Sequence, residues 1–162
     1  MKKETFALYQ QKKEKIKSRL QDFKNLSEEE MKKEFLFCIL TPQSNAQRCW
    51  QAVEQISALK NPTEKEVLEI LKIKTRFHNT KAKRIIEAIK VWAEIKKEIV
   101  RENIFELRNW LAENVNGYGL KESGHFLRNI GKSNNKIAIL DRHILKNLLE
   151  NKIINETKIK SR

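Results

Sequence analysis

Apolar residues recur along this chain at helical spacing, with no convincing run of strict alternation. Phe6, Tyr9, Ile16, Leu20 and Phe23 make a broken stripe in a basic segment. Ser27 and Glu30 have the spacing of a capping box, a hydroxyl at the helix start and a carboxylate three residues on. They open a helix that ends in the unbroken apolar run from Phe35 to Leu40, and Thr41-Pro42 stops it. A helix from about Ser44 carries Trp50, Val53 and Ile56. Thr63 and Glu66 repeat the capping signal after Pro62, ahead of Leu68 and Leu71. Asn79 has the chemistry to cap a long helix bearing Ile85, Ile86, Ile89, Trp92, Ile95 and Ile99. Ile104, Leu107, Trp110 and Leu111 mark another. A helix from Leu120 to about Ile130, an extended stretch from Ile137 to Leu140 and a last helix from Asp141 complete the pattern. With no fixed-period repeat and no pairable strands, the pattern predicts an all-α fold in one domain over residues 1–162, with helical lobes. The segment 151–162 is basic, weakly patterned and consistent with a frayed helix.

The pattern breaks most sharply where glycine appears. All four glycines lie between Gly117 and Gly131. Glycine serves where backbone must turn tightly or approach another group closely. Helix, then Asn116-Gly117-Tyr118-Gly119, then helix is the layout of a helix-hairpin-helix, here spanning about 112–131. Gly117 and Gly119 permit a tight hairpin with exposed amides beside a helix N-terminus, where unpaired N–H groups and the dipole favour an anion such as a phosphate.

Composition narrows the partner. Lys and Arg number 34 against 21 Asp and Glu, a net charge of +13. That excess suits a polyanion, nucleic acid first, although a lysine-rich composition by itself accounts for part of it. Cys38 and Cys49 are the only cysteines and lie on apolar helical patterns, outside any C-x-x-C. This argues against zinc and against a cysteine-ligated cluster, and no metal site is expected. The N-terminus leads into charged residues, and no apolar run is long enough to span a bilayer, so an intracellular protein associated with the nucleoid is expected. His78, His125 and His143 lack metal-ligand spacing and read as structural; Trp50, Trp92 and Trp110 read by default as core residues, with stacking on a nucleic-acid base the alternative for one of them.

Two residues add chemistry to the glycine segment. Lys121 sits in the first turn of a helix, where the dipole and a partly dry cleft disfavour an ammonium, the direction an amine nucleophile needs. Asp141 suits a helix N-cap. An N-capping carboxylate is held ionised and fixed, and it can stabilise an oxocarbenium-like sugar as an N-glycosidic bond breaks.

The run from Gly117 to Gly131, together with Ala138 to Leu148, resembles the helix-hairpin-helix DNA glycosylases, and within them the archaeal-type (type 2) 8-oxoguanine DNA glycosylase/lyases. The segment from Phe37 to Ala46 resembles the helix break that supplies a residue to fill the hole left by a flipped base. The segment from Phe77 to Ile86 resembles a stretch shared with endonuclease III relatives. The resemblance covers about residues 5–150.

It implies that Lys121 attacks C1′ of the damaged nucleotide and forms a Schiff base with the sugar. The base is released, and β-elimination then cuts the strand 3′ to the site. Asp141 assists the lysine and stabilises the developing cation. Gly117, Tyr118 and Gly119 grip DNA phosphate, with a monovalent cation at the hairpin and no other cofactor. Gln43 is the candidate to fill the gap, against a reading as a buried polar cap beside Pro42. The partner is double-stranded DNA carrying 8-oxoguanine or abasic sites, bound by a monomer with no membrane involved.

Two departures from the family pattern set further expectations. The loop from Gly131 to Lys136 is slightly long. The family also continues for about forty residues past the aspartate helix, the length of two or three helices. On that pattern the C-terminal helices that help close the base pocket are missing, and weaker lesion excision than abasic cleavage is expected. Two other readings stand beside the enzyme: a non-catalytic helix-hairpin-helix module that binds DNA, and a small basic structural protein.

Overall fold

The computed structural model describes residues 3–156. Within them lie α1 (Lys3–Asp22), a 3-10 turn (Phe23–Asn25), α2 (Glu28–Leu40), α3 (Ala46–Ser57), α4 (Glu64–Lys72), α5 (His78–Glu98), α6 (Ile104–Asn114), α7 (Leu120–Asn129) and α8 (Arg142–Glu150). No strand occurs among the described residues.

The capping signals form as the sequence predicts. Glu30 N–H donates to Ser27 Oγ at 3.3 Å, and Ser27 N–H donates back to Glu30 Oε2 at 2.7 Å. Thr63 and Glu66 repeat the exchange at 3.3 and 2.8 Å. Two starts differ from the sequence reading. α3 begins at Ala46 because Asn45 takes the cap, accepting from Arg48 N–H at 3.1 Å. α5 begins at His78, so Asn79 lies inside its first turn. Its entry is Phe77 at φ 57, with no side-chain cap. α4 and α5 pack on each other, and Phe77 absorbs the sharp turn between them, which is a tertiary constraint rather than a local one.

α2 is the central helix. Phe35, Leu36, Cys38, Ile39 and Leu40 are all buried, so its apolar end is covered on every side but that of Phe37. α3, α5 and α7 pack against it. Phe35 is the hub: its ring lies 5.5 Å from Trp92, 5.2 Å from Tyr118 and 5.4 Å from Phe126, centroid to centroid. One contiguous cluster of buried side chains runs from Phe35 to Ile137.

Two helices stand apart from that core. Phe6, Leu8, Tyr9 and Ile16 are exposed on α1. α8 buries none of its residues. It ends at Glu150, and Asn151 to Glu156 are turn and irregular backbone, with Lys152 at φ 57. The remainder of the basic tail, 157–162, lies outside the described residues.

Candidate active site

Gly117 makes the α6–α7 connection possible. Its φ is +93, and a Cβ there would lie 2.7 Å from Arg84 Cδ. Gly119 is instead extended at φ −118, so the left-handed turn rests on one glycine of the pair. The hairpin amides are also less free than the sequence suggests. Tyr118 N–H donates to Val115 O at 3.0 Å, and Gly119 N–H donates to Glu122 Oε2 at 3.3 Å. The Tyr118 side chain is committed to the core, 7% exposed, with its hydroxyl donating to Phe35 O at 2.8 Å. Anything it offers DNA is confined to its backbone.

α7 presents one face to an open cleft of about 1190 Å³. Lys121, His125, Arg128 and Asn129 line it, at the i, i+4, i+7 and i+8 spacing of a single helix face. Glu34 and Phe37 of α2, Trp50 of α3, and Arg19 of α1 line the cleft from the other elements, and Asp141 stands at its rim. The fold therefore brings Lys121 and Asp141 to one cavity.

Lys121 is the second residue of α7, with its side chain 40% exposed. Its Nζ lies 2.8 Å from Glu122 Oε1. The same carboxylate holds the Gly119 amide, so Glu122 caps α7 from inside and offsets the charge that the helix dipole disfavours. Asp141 is the N-cap of α8, as its position predicts. Its Oδ1 accepts from His143 N–H at 2.9 Å and from Ile144 N–H at 2.8 Å. The Ile144 bond first, then that from His143, holds this carboxyl below the usual carboxylate range, with the charges of His143 and Lys121 adding to the effect.

Gln43 sits at φ 55 on the α2–α3 turn and is exposed. It is not a buried polar cap. The buried polar anchor of that turn is Lys81, 2% exposed, which the sequence reading passed over. Its Nζ donates to Leu40 O at 2.8 Å, Pro42 O at 2.9 Å and Ser44 Oγ at 2.9 Å. Burial pushes its ammonium below the ordinary lysine value. Thr41 and Ser44 of the same turn face the cleft.

The tryptophans read as core divide between the core and the cleft, and His125 falls with the cleft. Trp92 is a core residue, 7% exposed. Trp50 and His125 are not closed in the core: they flank Phe37 in the cleft wall, with centroids 5.4 and 5.9 Å from its ring. Burial first, then the charges of Arg128 and Lys121, pushes the His125 imidazole down to about 4. Its place one turn beyond Lys121 was the available signal. Glu34 and Asn129, also unremarked, form a buried pair, with Asn129 Nδ2 donating to Glu34 Oε2 at 2.6 Å. Burial pushes the Glu34 carboxyl up against the opposing pull of that bond. Cys38 and Cys49 are buried free thiols whose values are raised by burial, away from reactivity.

The family model described as 8-oxoguanine DNA glycosylase matches residues 16–162. A protein of Fusobacterium nucleatum named 8-oxoguanine DNA glycosylase/AP lyase is 39% identical over 163 residues, covering 92% of this chain and 74% of its own length. One of the same name from Methanocaldococcus jannaschii is 38% identical, over 87% of this chain and 70% of its own. The crystal structure of the Methanocaldococcus jannaschii 8-oxoguanine DNA glycosylase superposes with a TM-score of 0.85 at 36% identity, covering 96% of this chain and 75% of that one. The structure of that enzyme with a 15mer DNA containing 8-oxoguanine gives 0.82 at 35% identity, over 93% and 74%. The Thermotoga maritima 8-oxoguanine DNA glycosylase gives 0.86 at 28% identity, over 99% and 78%.

Proposed function

We infer the chemistry of this cleft from one premise: the chain belongs to the helix-hairpin-helix 8-oxoguanine DNA glycosylase family. It is a bifunctional glycosylase and DNA lyase that excises oxidised guanine from duplex DNA. The observation that carries the assignment of roles is the convergence of Lys121 and Asp141, from two different helices, on one open cleft.

A base inside the duplex stack cannot be reached at its glycosidic carbon, so the damaged nucleotide is flipped into the cleft. Lys121 must lose a proton before it can attack, and the Glu122 carboxylate, 2.8 Å from Nζ, stands where it can receive it. The amine then forms a bond to C1′. The C1′–N9 bond breaks, and its electron pair leaves with the base, which takes up a proton. Positive charge develops on the sugar at this step. Asp141, kept ionised by two backbone amides, stabilises that charge without having to reorganise. Ring opening gives the Schiff base between Lys121 and C1′. Loss of a C2′ proton then expels the 3′ phosphate and cuts the strand.

The hairpin around Gly117 and the N-terminus of α7 hold the backbone phosphates, and the hairpin residues Gly117, Tyr118 and Gly119 would hold a monovalent cation that supplies positive charge beside them. Gln43, raised on its left-handed turn, fills the space left by the flipped nucleotide. The enzyme works as a monomer on DNA in the cytoplasm. No described helix is long and apolar enough to cross a membrane.

The test is trapping with borohydride on a duplex carrying 8-oxoguanine opposite cytosine. The wild type forms a covalent protein–DNA adduct. Lys121→Gln forms none while still binding DNA, because binding comes mostly from phosphates. An undiminished adduct in the variant would place the nucleophile elsewhere. A wild type that binds DNA and forms no adduct would favour a non-catalytic binding module.

A further inference from the structure

The lysine chemistry leaves one buried charged group in the cleft without a task. Among the described residues Glu34 and Lys81 are the charged side chains that are buried, and Lys81 is used up by three acceptors of the α2–α3 turn. Glu34 is 5% exposed and lines the cleft. A carboxylate largely withdrawn from water depends on its partners, and only one of these two oxygens has a partner in the protein. Oε2 accepts from Asn129 Nδ2 at 2.6 Å, and no described residue donates to Oε1.

The support behind Glu34 is fixed. Asn129 Oδ1 accepts from Arg128 Nε at 3.0 Å and Nη2 at 2.9 Å. A guanidinium only donates, so the Asn129 amide can face it only with its oxygen, and Nδ2 must point at Glu34. Arg128 thus orients Asn129, and Asn129 holds one oxygen of Glu34, leaving the other toward the cavity. A strut between α2 and α7 needs no carboxylate; an amide would satisfy Asn129 at lower cost.

Position adds the second half. Asn129 lies eight residues beyond Lys121 on α7, which is about 12 Å along the helix axis. A nucleotide whose C1′ is brought beside Lys121, before the glycosidic bond breaks, can extend its base past His125 toward that end, with the edge remote from the glycosidic bond leading. In guanine and 8-oxoguanine that edge carries N1–H and the exocyclic N2 amine, both donors. In adenine N1 is an acceptor.

We propose that Glu34 is a specificity-determining residue, whose free oxygen accepts a hydrogen bond from the N1–H and 2-amino edge of the flipped oxidised guanine. This rests on the reading of the cleft as the base site. It separates two activities that share Lys121: removing the base needs Glu34, whereas nicking a preformed abasic site, which has no base, does not.

The experiment uses the full chain under single-turnover conditions, with excision of 8-oxoguanine and nicking of an abasic site measured on matched duplexes. Glu34→Gln keeps an acceptor for Asn129 and turns an amide donor toward the base. Excision should fall about ten- to hundredfold, the value of a hydrogen bond to a charged group. Abasic nicking should stay within about twofold. The 8-oxo derivative of hypoxanthine, which lacks the 2-amino group, supplies a second measurement. The wild type should excise it more slowly than 8-oxoguanine, and Glu34→Gln should lose that preference.

Excision by Glu34→Gln at the wild-type rate, or an unchanged preference between the two bases, would overturn the proposal. So would a parallel fall in excision, nicking and melting temperature, which would make Glu34 a strut alone. Absence of both activities in the wild type would instead refute the reading of the cleft on which the proposal stands.

Discussion

The neutral His125 imidazole gives the cleft a measurable acid sensitivity. Burial in the wall beside Phe37, with Arg128 and Lys121 adding repulsion and Glu122 opposing it, pushes this group from 6.5 down to about 4. A histidine whose folded value is lowered binds fewer protons folded than unfolded. Its contribution to stability is therefore complete above about pH 6.5 and is lost as pH falls toward 4. Between pH 7 and pH 5 the unfolded imidazole becomes almost fully protonated while the folded one stays mostly neutral. The linkage integral gives a loss of about 2 kcal/mol over that interval, and about 3 kcal/mol once both forms are charged. For a chain of this length 2 kcal/mol corresponds to a fall of about 4–8 °C in melting temperature.

The assay is thermal or urea unfolding of the wild type and of His125→Gln across pH 5–7. Every other ionisable group is common to both proteins and cancels in the difference. The raised Glu34 carboxyl acts with the opposite sign, since its folded form gains protons first, and it too is common to both. His125→Gln should lose about 2 kcal/mol less than the wild type between pH 7 and 5. Parallel stability curves for the two proteins would refute the argument, because they would mean that water reaches the ring and keeps its value ordinary.

Three more perturbations follow from the geometry. Asp141→Asn should leave the melting temperature nearly unchanged, since asparagine caps about as well, while excision falls by about two to three orders of magnitude; a large loss of stability with excision intact in the folded fraction would reduce Asp141 to its cap. Lys81→Met should cost about 2–4 kcal/mol in urea unfolding, because Leu40 O, Pro42 O and Ser44 Oγ lose their common donor in a buried site; a cost below about 1 kcal/mol would show that water replaces the ammonium. Gly117→Ala should destabilise by about 1–2 kcal/mol from the φ of +93 alone and weaken binding to undamaged duplex in a titration, and an unchanged affinity would remove the hairpin from the DNA contacts.

How much of this was legible in the sequence depends on whether the cause is local. The capping boxes at Ser27 and Thr63 and the cap at Asp141 are set by residues three apart, and all were readable. The start of α5 was not, because Phe77 enters the left-handed region to let α4 fold back on α5, and Asn79 only looked like a cap. Helical periodicity identifies a residue that faces inward but does not distinguish a closed core from the wall of a cleft. Trp92 and Trp50 carry the same signal, yet one closes against Phe35 and the other borders open space. Lys81 was lost among 34 lysines and arginines, since its burial is decided by α2 and the α2–α3 turn some forty residues earlier. Glu34 was hidden for the same reason: its partner Asn129 is 95 residues away.

On the roles proposed above, placing Lys121 and the support of Glu34 on one helix face has a physical rationale. The reacting carbon and the base edge of a nucleotide are a fixed distance apart, so the groups that meet them must keep a fixed separation too. α7 supplies that rigidity. Lys121 stands in its first turn, at the positive end of the helix dipole, and Asn129 at its last residue holds Glu34. Loop-borne residues would drift relative to one another by more than a hydrogen bond tolerates. The helix is in turn held at both ends. Gly131, at φ +73, brings the end of α7 against the backbone of Phe23 and Lys24, where a Cβ would lie 2.8 Å away. Tyr118 ties the hairpin end to Phe35 O in the core. A shift of α7 by one residue would therefore disrupt the hydrogen bond of Tyr118, the packing at Gly131 and the Asn129–Glu34 pair together. That coupling fixes Lys121 and Glu34 relative to one another while the surrounding cleft stays open.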